Sequence, residues 1–146
     1  MSNNIKEDLL LFNELVNVFL EEENLKPVTG YIEPNNVQHL LDIKLEKNGL
    51  SKHKFKEALK QLILNTPKSS SKLFFNQLFG GRHSKAVLGD LLTTILNNSM
   101  ATYKIAGPQV FVEKEILSQV YKLIGYNQNP GGTFPTGGSM SNFMSL

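Results

Sequence analysis

Apolar side chains recur along residues 5–23 at Ile5, Leu9, Phe12, Val16 and Phe19, and Leu11, Leu15 and Val18 widen the stripe. Steps of three and four residues place these on one side of a helix. A face this broad on a first helix has to pack against something, and a partner subunit is a fair candidate. Glu21, Glu22 and Glu23 then read as a solvated end. Residues 26–34, KPVTGYIEP, break the helix with two prolines and a glycine. A second helix is expected to open at Pro34, a good first-turn residue, with Val37, Leu41 and Leu45 on one side and Asn48-Gly49 as its stop. A third is expected over 51–65, turning Phe55, Leu59, Leu62 and Ile63 inward. Its Lys52, Lys54, Lys56 and Lys60 read as a mostly solvated face.

Residues 66–72, TPKSSSK, form a loop or linker after this helical piece. In the next stretch, 73–81, apolar residues surround an Asn76-Gln77 pair and a double glycine ends the run. It reads either as a core-anchoring loop whose amides satisfy backbone groups or as a mount that holds Gln77 toward a site. Residues 85–101 predict a strongly apolar helix through Val87, Leu88, Leu91, Leu92, Ile95, Leu96 and Met100, with little of it facing water. Asn97, Asn98 and Ser99 bring polar atoms to its end, to cap it or to line a pocket. After a break at 106–108, residues 109–124 predict another helix with Val112, Ile116, Val120, Leu123 and Ile124 on one face. Glu113 and Glu115 near its start and Lys122 near its end suit the helix dipole, and Gly125 suits the position just past it. The pattern as a whole is mainly α, about five helices with no convincing strand.

The last stretch, residues 129–142, NPGGTFPTGGSMSN, packs four glycines and two prolines into 14 positions. Ser139, Ser141 or Asn142 can cap a helix that starts here. A glycine-rich loop that opens a helix offers unpaired N–H groups and a positive dipole end, which suit a phosphate. A loose terminal tail is the alternative.

Composition narrows the partners. A net charge of +2 over 146 residues is too small to argue for nucleic acid, and the lysines at 52–60 lack interleaved aromatics. The absence of cysteine removes any disulfide framework or thiolate nucleophile and fits a reducing cytoplasm. No secretory leader and no membrane-length apolar run are evident. His39, His53 and His83 are scattered, so no metal site is expected.

Three blocks then fall in order: Phe74-Phe-Asn-Gln-Leu78; 100–106, MATYKIA, with 110–115, VFVEKE; and 132–142, GTFPTGGSMSN. Together they resemble the N-terminal third of the group II pyridoxal-phosphate-dependent amino-acid decarboxylases, closest to the glutamate, cysteine sulfinate and diaminobutyrate branch. The resemblance implies a fold-type I enzyme, a homodimer in the cytoplasm acting on an amino acid. Residues 1–66 would be a helical dimerisation segment, and 67–146 the truncated start of the large cofactor-binding domain. It implies that Ser139, Met140 and Ser141 hold the cofactor phosphate and that Gln77, Leu78, Phe79 and Ser99 contribute to the substrate pocket. Glutamate-specific members commonly carry Thr-Asn-Met where this chain has Asn98-Ser-Met100, so Ser99 does not support glutamate as substrate. The family's Schiff-base lysine, pyridine-facing aspartate and stacking histidine follow the glycine loop by a long interval. The 146 residues are therefore expected to be inactive alone, with no catalytic residue among them. Ser51-Lys-His-Lys54 mimics the lysine motif but precedes the loop and reads as exposed surface. The competing readings are a non-catalytic helical interaction module and, more weakly, a small basic nucleic-acid binder on Lys52 to Lys60.

Overall fold

The computed structural model describes residues 4–41, 43–44, 47–76, 78–126 and 129–146. Among these the chain forms seven α-helices, one short 3-10 turn and no strand, and it divides into two compact units, Met1–His83 and Ser84–Leu146.

The first unit is built on α1 (Ile5–Leu25) and α3 (Lys52–Asn65). The predicted first helix is confirmed and runs two residues further, with Glu7 and Asp8 in its first turn where the dipole favours them. Ser51 caps α3 by accepting the Lys54 amide at 3.3 Å. Cross-helix ion pairs join Glu7 to Lys52 (3.0 Å) and Glu14 to Lys56 (2.6 Å). Lys52 and Lys56, both read as solvated surface, thus tie α3 to α1. The pairs step in the same direction along both helices, so the helices run parallel and not as a hairpin. Residues 26–51 must therefore travel back along α1, which is ~30 Å long. That return holds a 3-10 turn, Pro34–Asn36, and α2 (Val37–Leu41). The expected second helix is cut to five residues. Residues 43, 44, 47 and 48 are non-helical, and Gly49 turns in the left-handed region at φ 66°. Leu45 lies outside the described residues.

Beyond α3 the chain is fastened back to the end of α1. The Lys68 amide donates to the Val28 carbonyl (2.8 Å), and its buried ammonium donates to the Pro27 carbonyl (3.1 Å). Glu23 is not a solvated end residue. It is buried, and Arg82 grips it with a two-armed contact of 2.6 and 3.4 Å. The same guanidinium lies 5.7 Å from the centre of the Phe19 ring, one turn earlier on α1. Local pattern could not show this, because the partners are 59 positions apart. The pair closes one end of an apolar groove of about 570 Å³ between α1 and α3, lined by Phe12, Val16, Phe19, Leu59 and Ile63 among others. Leu15 and Ala58 are the buried hydrophobic residues described in this unit. Phe55 and Leu62, expected to face inward, remain 47% and 45% exposed.

In the second unit α4 (Ser84–Leu96) stops five residues short of the expected end, because Asn97 adopts φ 45°. None of its side chains is buried, against the expectation that little of it faces water. Asn98 donates to the Ile105 carbonyl at 2.8 Å and so draws the turn onto α5 (Tyr103–Ala106), a short helix the hydrophobic pattern missed. Ala106 is 1% exposed, and Tyr103 meets Phe111 edge-on at 6.4 Å. Helix α6 (Gln109–Ile124) matches its predicted span, and Gly125 ends it at φ 79°. The amides of Gly125 and Tyr126 fold back to Lys122 and Tyr121. Glu113 and Glu115 fall beyond the first turn, which holds no acid, so neither serves the dipole as expected. Glu115 instead accepts from Gln119 at 2.6 Å. The last helix is α7 (Gly138–Met144).

Removing the Arg82 fork strands the buried Glu23 carboxylate. Arg82→Ala is expected to lower unfolding free energy by about 1–3 kcal/mol, and Arg82→Lys by less, read as urea midpoints. The Lys52 ammonium holds the exposed Glu7 carboxyl below its ordinary value. A depressed carboxyl stabilises above the ordinary carboxylate range and loses that contribution as pH falls through the lowered value. Lys52→Ala should return the Glu7 titration toward the ordinary value in a carboxyl NMR titration, and an unmoved Glu7 curve would refute the pairing.

Candidate functional site

The glycine loop lies wholly in the second unit, between α6 and α7. Gly137 sits at φ 154°, ψ 170°, a region open essentially to glycine alone. It is the residue that admits α7, and none of the proposed caps does so. Ser139 and Ser141 lie inside the helix, and no side chain caps it. The Ser141 amide and hydroxyl both donate to the Gly137 carbonyl, at 3.0 and 3.1 Å. By helix geometry the amides of Gly138, Ser139 and Met140 have no intrahelical acceptor. Nothing approaches within 4 Å of where side chains on Gly137 and Gly138 would stand. Residues 129–146 contain no acid. Open backbone donors at a positive helix end, with no carboxylate in the segment, form a donor set chemically suited to an oxyanion.

Helix α6 holds the approach to this turn. Glu113 Oε1 accepts the Thr133 hydroxyl and the Phe134 amide, each at 3.3 Å. Tyr121 stacks on Tyr126 at 6.3 Å, and its hydroxyl lies 2.6 Å from where a Cβ on Gly132 would be. The sequence offered Glu113 as a dipole partner and did not single out Tyr121, because a carboxylate that accepts bonds 20 residues away carries no local signature.

The other predicted site residues are placed as follows. Ser139, Met140 and Ser141 share the opening of α7. Leu78 and Phe79 belong to the first unit, 80% and 55% exposed; Phe79 meets Phe74 edge-on at 5.6 Å, and the Leu78 amide donates to Asn76 (2.8 Å). With Phe75 also 91% exposed, this stretch does not anchor the described core. Gln77 lies outside the described residues. Ser99, in the second unit, accepts the Ala101 amide at 3.1 Å, while its own amide donates to Asn98. Among the described residues no group of three or more acidic or histidine side chains is placed to hold a metal, and no helix is long and apolar enough to cross a membrane.

No family model matches the chain. It is 33% identical to mouse cysteine sulfinic acid decarboxylase over 142 residues, which cover 93% of this chain and 29% of that protein. It is 30% identical to the acidic amino acid decarboxylase GADL1 of Xenopus tropicalis over 137 residues, 94% of this chain and 26% of that one. The crystal structure of the mouse cysteine sulfinic acid decarboxylase superposes with a TM-score of 0.82 at 32% identity, covering 93% of this chain and 30% of the other. The chain is homologous to the group II amino-acid decarboxylases. It spans about three-tenths of the length of these relatives. Its helices are those of the N-terminal part of this fold-type I group, as the motif resemblance implied. The helical content of the described residues agrees with that share of the fold.

If Gly132 marks close packing of the loop on α6, Gly132→Ala should cost about 1–2 kcal/mol of stability. Tyr121→Phe removes the nearest atom, so the double variant should recover part of that loss in thermal melts. Strict additivity of the two would sink the packing argument.

Proposed function

We propose that this chain is the part of a pyridoxal 5'-phosphate-dependent carboxy-lyase that carries the cofactor phosphate loop and a share of the substrate pocket. The single observation behind this is the uncapped, acid-free turn at 137–141 in a chain 33% identical to cysteine sulfinic acid decarboxylase over 93% of its length. The cofactor, when bound, supplies the electron sink for loss of carbon dioxide. The chain's own residues bind and orient. Ser139 and Met140 offer amides to the phosphate. The Ser141 hydroxyl can turn from the Gly137 carbonyl to the same oxyanion, and Gly137 and Gly138 leave it room to approach. These donors fit the phosphate end of the cofactor.

Gln77, Leu78, Phe79 and Ser99 are the proposed substrate-facing residues. Leu78 and Phe79 have open surface to give, and Ser99, whose oxygen takes the Ala101 amide, keeps its hydroxyl proton for a ligand. The substrate class is an acidic or diamino acid. Residues 1–66 are the dimerisation segment of a cytoplasmic homodimer, a role supported by the exposed Ile5, Leu9 and Phe12 of α1. We further propose that the 146 residues are inactive alone. The same exposed face favours a second reading, a helical interaction module without chemistry.

Full-length protein titrated with pyridoxal phosphate should release carbon dioxide from one of cysteine sulfinate, glutamate, aspartate or diaminobutyrate, and the 146-residue chain should release none. Ser141→Ala should weaken cofactor binding about tenfold, the loss of roughly one charge-assisted hydrogen bond. A full-length protein indifferent to the cofactor would leave the module reading standing.

A further inference from the structure

We propose that Glu113 is the positioning residue of the glycine loop, a role that rests on reading that loop as the phosphate cradle. One oxygen of its carboxylate takes both the hydroxyl of Thr133 and the amide of Phe134, each at 3.3 Å. These residues stand three and four positions before Gly137, so the bonds fix the direction in which the chain enters the turn. One residue earlier, the Tyr121 hydroxyl closes on Gly132 so tightly that a Cβ there would lie 2.6 Å from it. Two consecutive loop residues are thus bonded to a single helix, α6, and the one before them packs against it. The other carboxylate on this stretch of α6, Glu115, is engaged within the helix by Gln119 at 2.6 Å. The segment 129–146 has no acid of its own to do this work.

The physical reason such a hold matters is convergence. Three backbone amides grip one oxyanion only if they point at a common place, and a glycine-rich segment left free would have to be ordered at each binding event. A carboxylate bonded to a main-chain amide is a stronger tether than a neutral acceptor. Glu113 is half-exposed on a well-formed helix, so its replacement leaves the helix intact.

The test uses the full-length protein and two readouts. The first is amide hydrogen exchange over 131–138. The second is binding of pyridoxal phosphate and of pyridoxal, which lacks the phosphate, followed by absorbance. In Glu113→Ala, exchange at Phe134 should rise about tenfold and pyridoxal phosphate should bind about five- to tenfold more weakly, with pyridoxal unchanged. Glu113→Gln keeps an acceptor and should restore both to within about threefold. Unchanged exchange and affinity in Glu113→Ala, with a normal far-ultraviolet spectrum, overturn the proposal while leaving the cradle reading intact. Equal binding of pyridoxal phosphate and pyridoxal by the unaltered protein overturns the cradle reading, and the role of Glu113 with it.

Discussion

An apolar stripe on a helix has to be covered by a neighbour, and the helices of this chain supply one another with few neighbours. Among the described residues the buried hydrophobic ones are Leu15, Ala58 and Ala106, while Phe75, Leu123 and Phe143 are 91%, 85% and 75% exposed. Hydrophobic burial cannot be what fixes the details of such a chain. The geometry is set instead by a few directed polar contacts: the short-range one of Asn98 with Ile105, and three between segments distant in sequence, Glu23 with Arg82, Lys68 with the carbonyls of 27 and 28, and Glu113 with the glycine loop. Directed contacts specify position at little gain in net stability, because each replaces hydrogen bonds to water. The broad apolar faces remain available, those of α1 and α6 among them.

What could be read from the residue pattern follows the range of the forces involved. Helices α1, α3 and α6 rest on local periodicity and caps, and Ser51 and Gly125 mark ends where the structure has them. Helix α4 was overextended because apolar residues continue through Met100, whereas an asparagine at φ 45° ends it. The second helix was overextended for a related reason: its periodicity promised a face, and the backbone leaves the helix at Leu41. Glu23 was misread because its partner is 59 residues away, and Glu113 because its partners are 20 and 21 away. No period reports a contact of that kind.

The candidate site shows the same division. A run of glycines followed by small hydroxyl residues already pointed to an anion-binding turn, and the open amides of 138–140 have the matching chemistry. The serines were expected to cap α7 and do not; both Ser141 donors are returned to Gly137. Homology to the decarboxylases gives the chain a shared fold, and the bonds from α6 give the turn a defined approach.

The parallel run of α1 and α3 has a kinetic side. Their ion pairs close intervals of 45 and 42 residues, so no tight turn can bring the two helices together early, and they must find each other across a long interval of sequence. Closure entropy grows only with the logarithm of that span. The return segment is consequently a place where evolution can insert or delete residues at small thermodynamic cost, while the helices it joins keep their register.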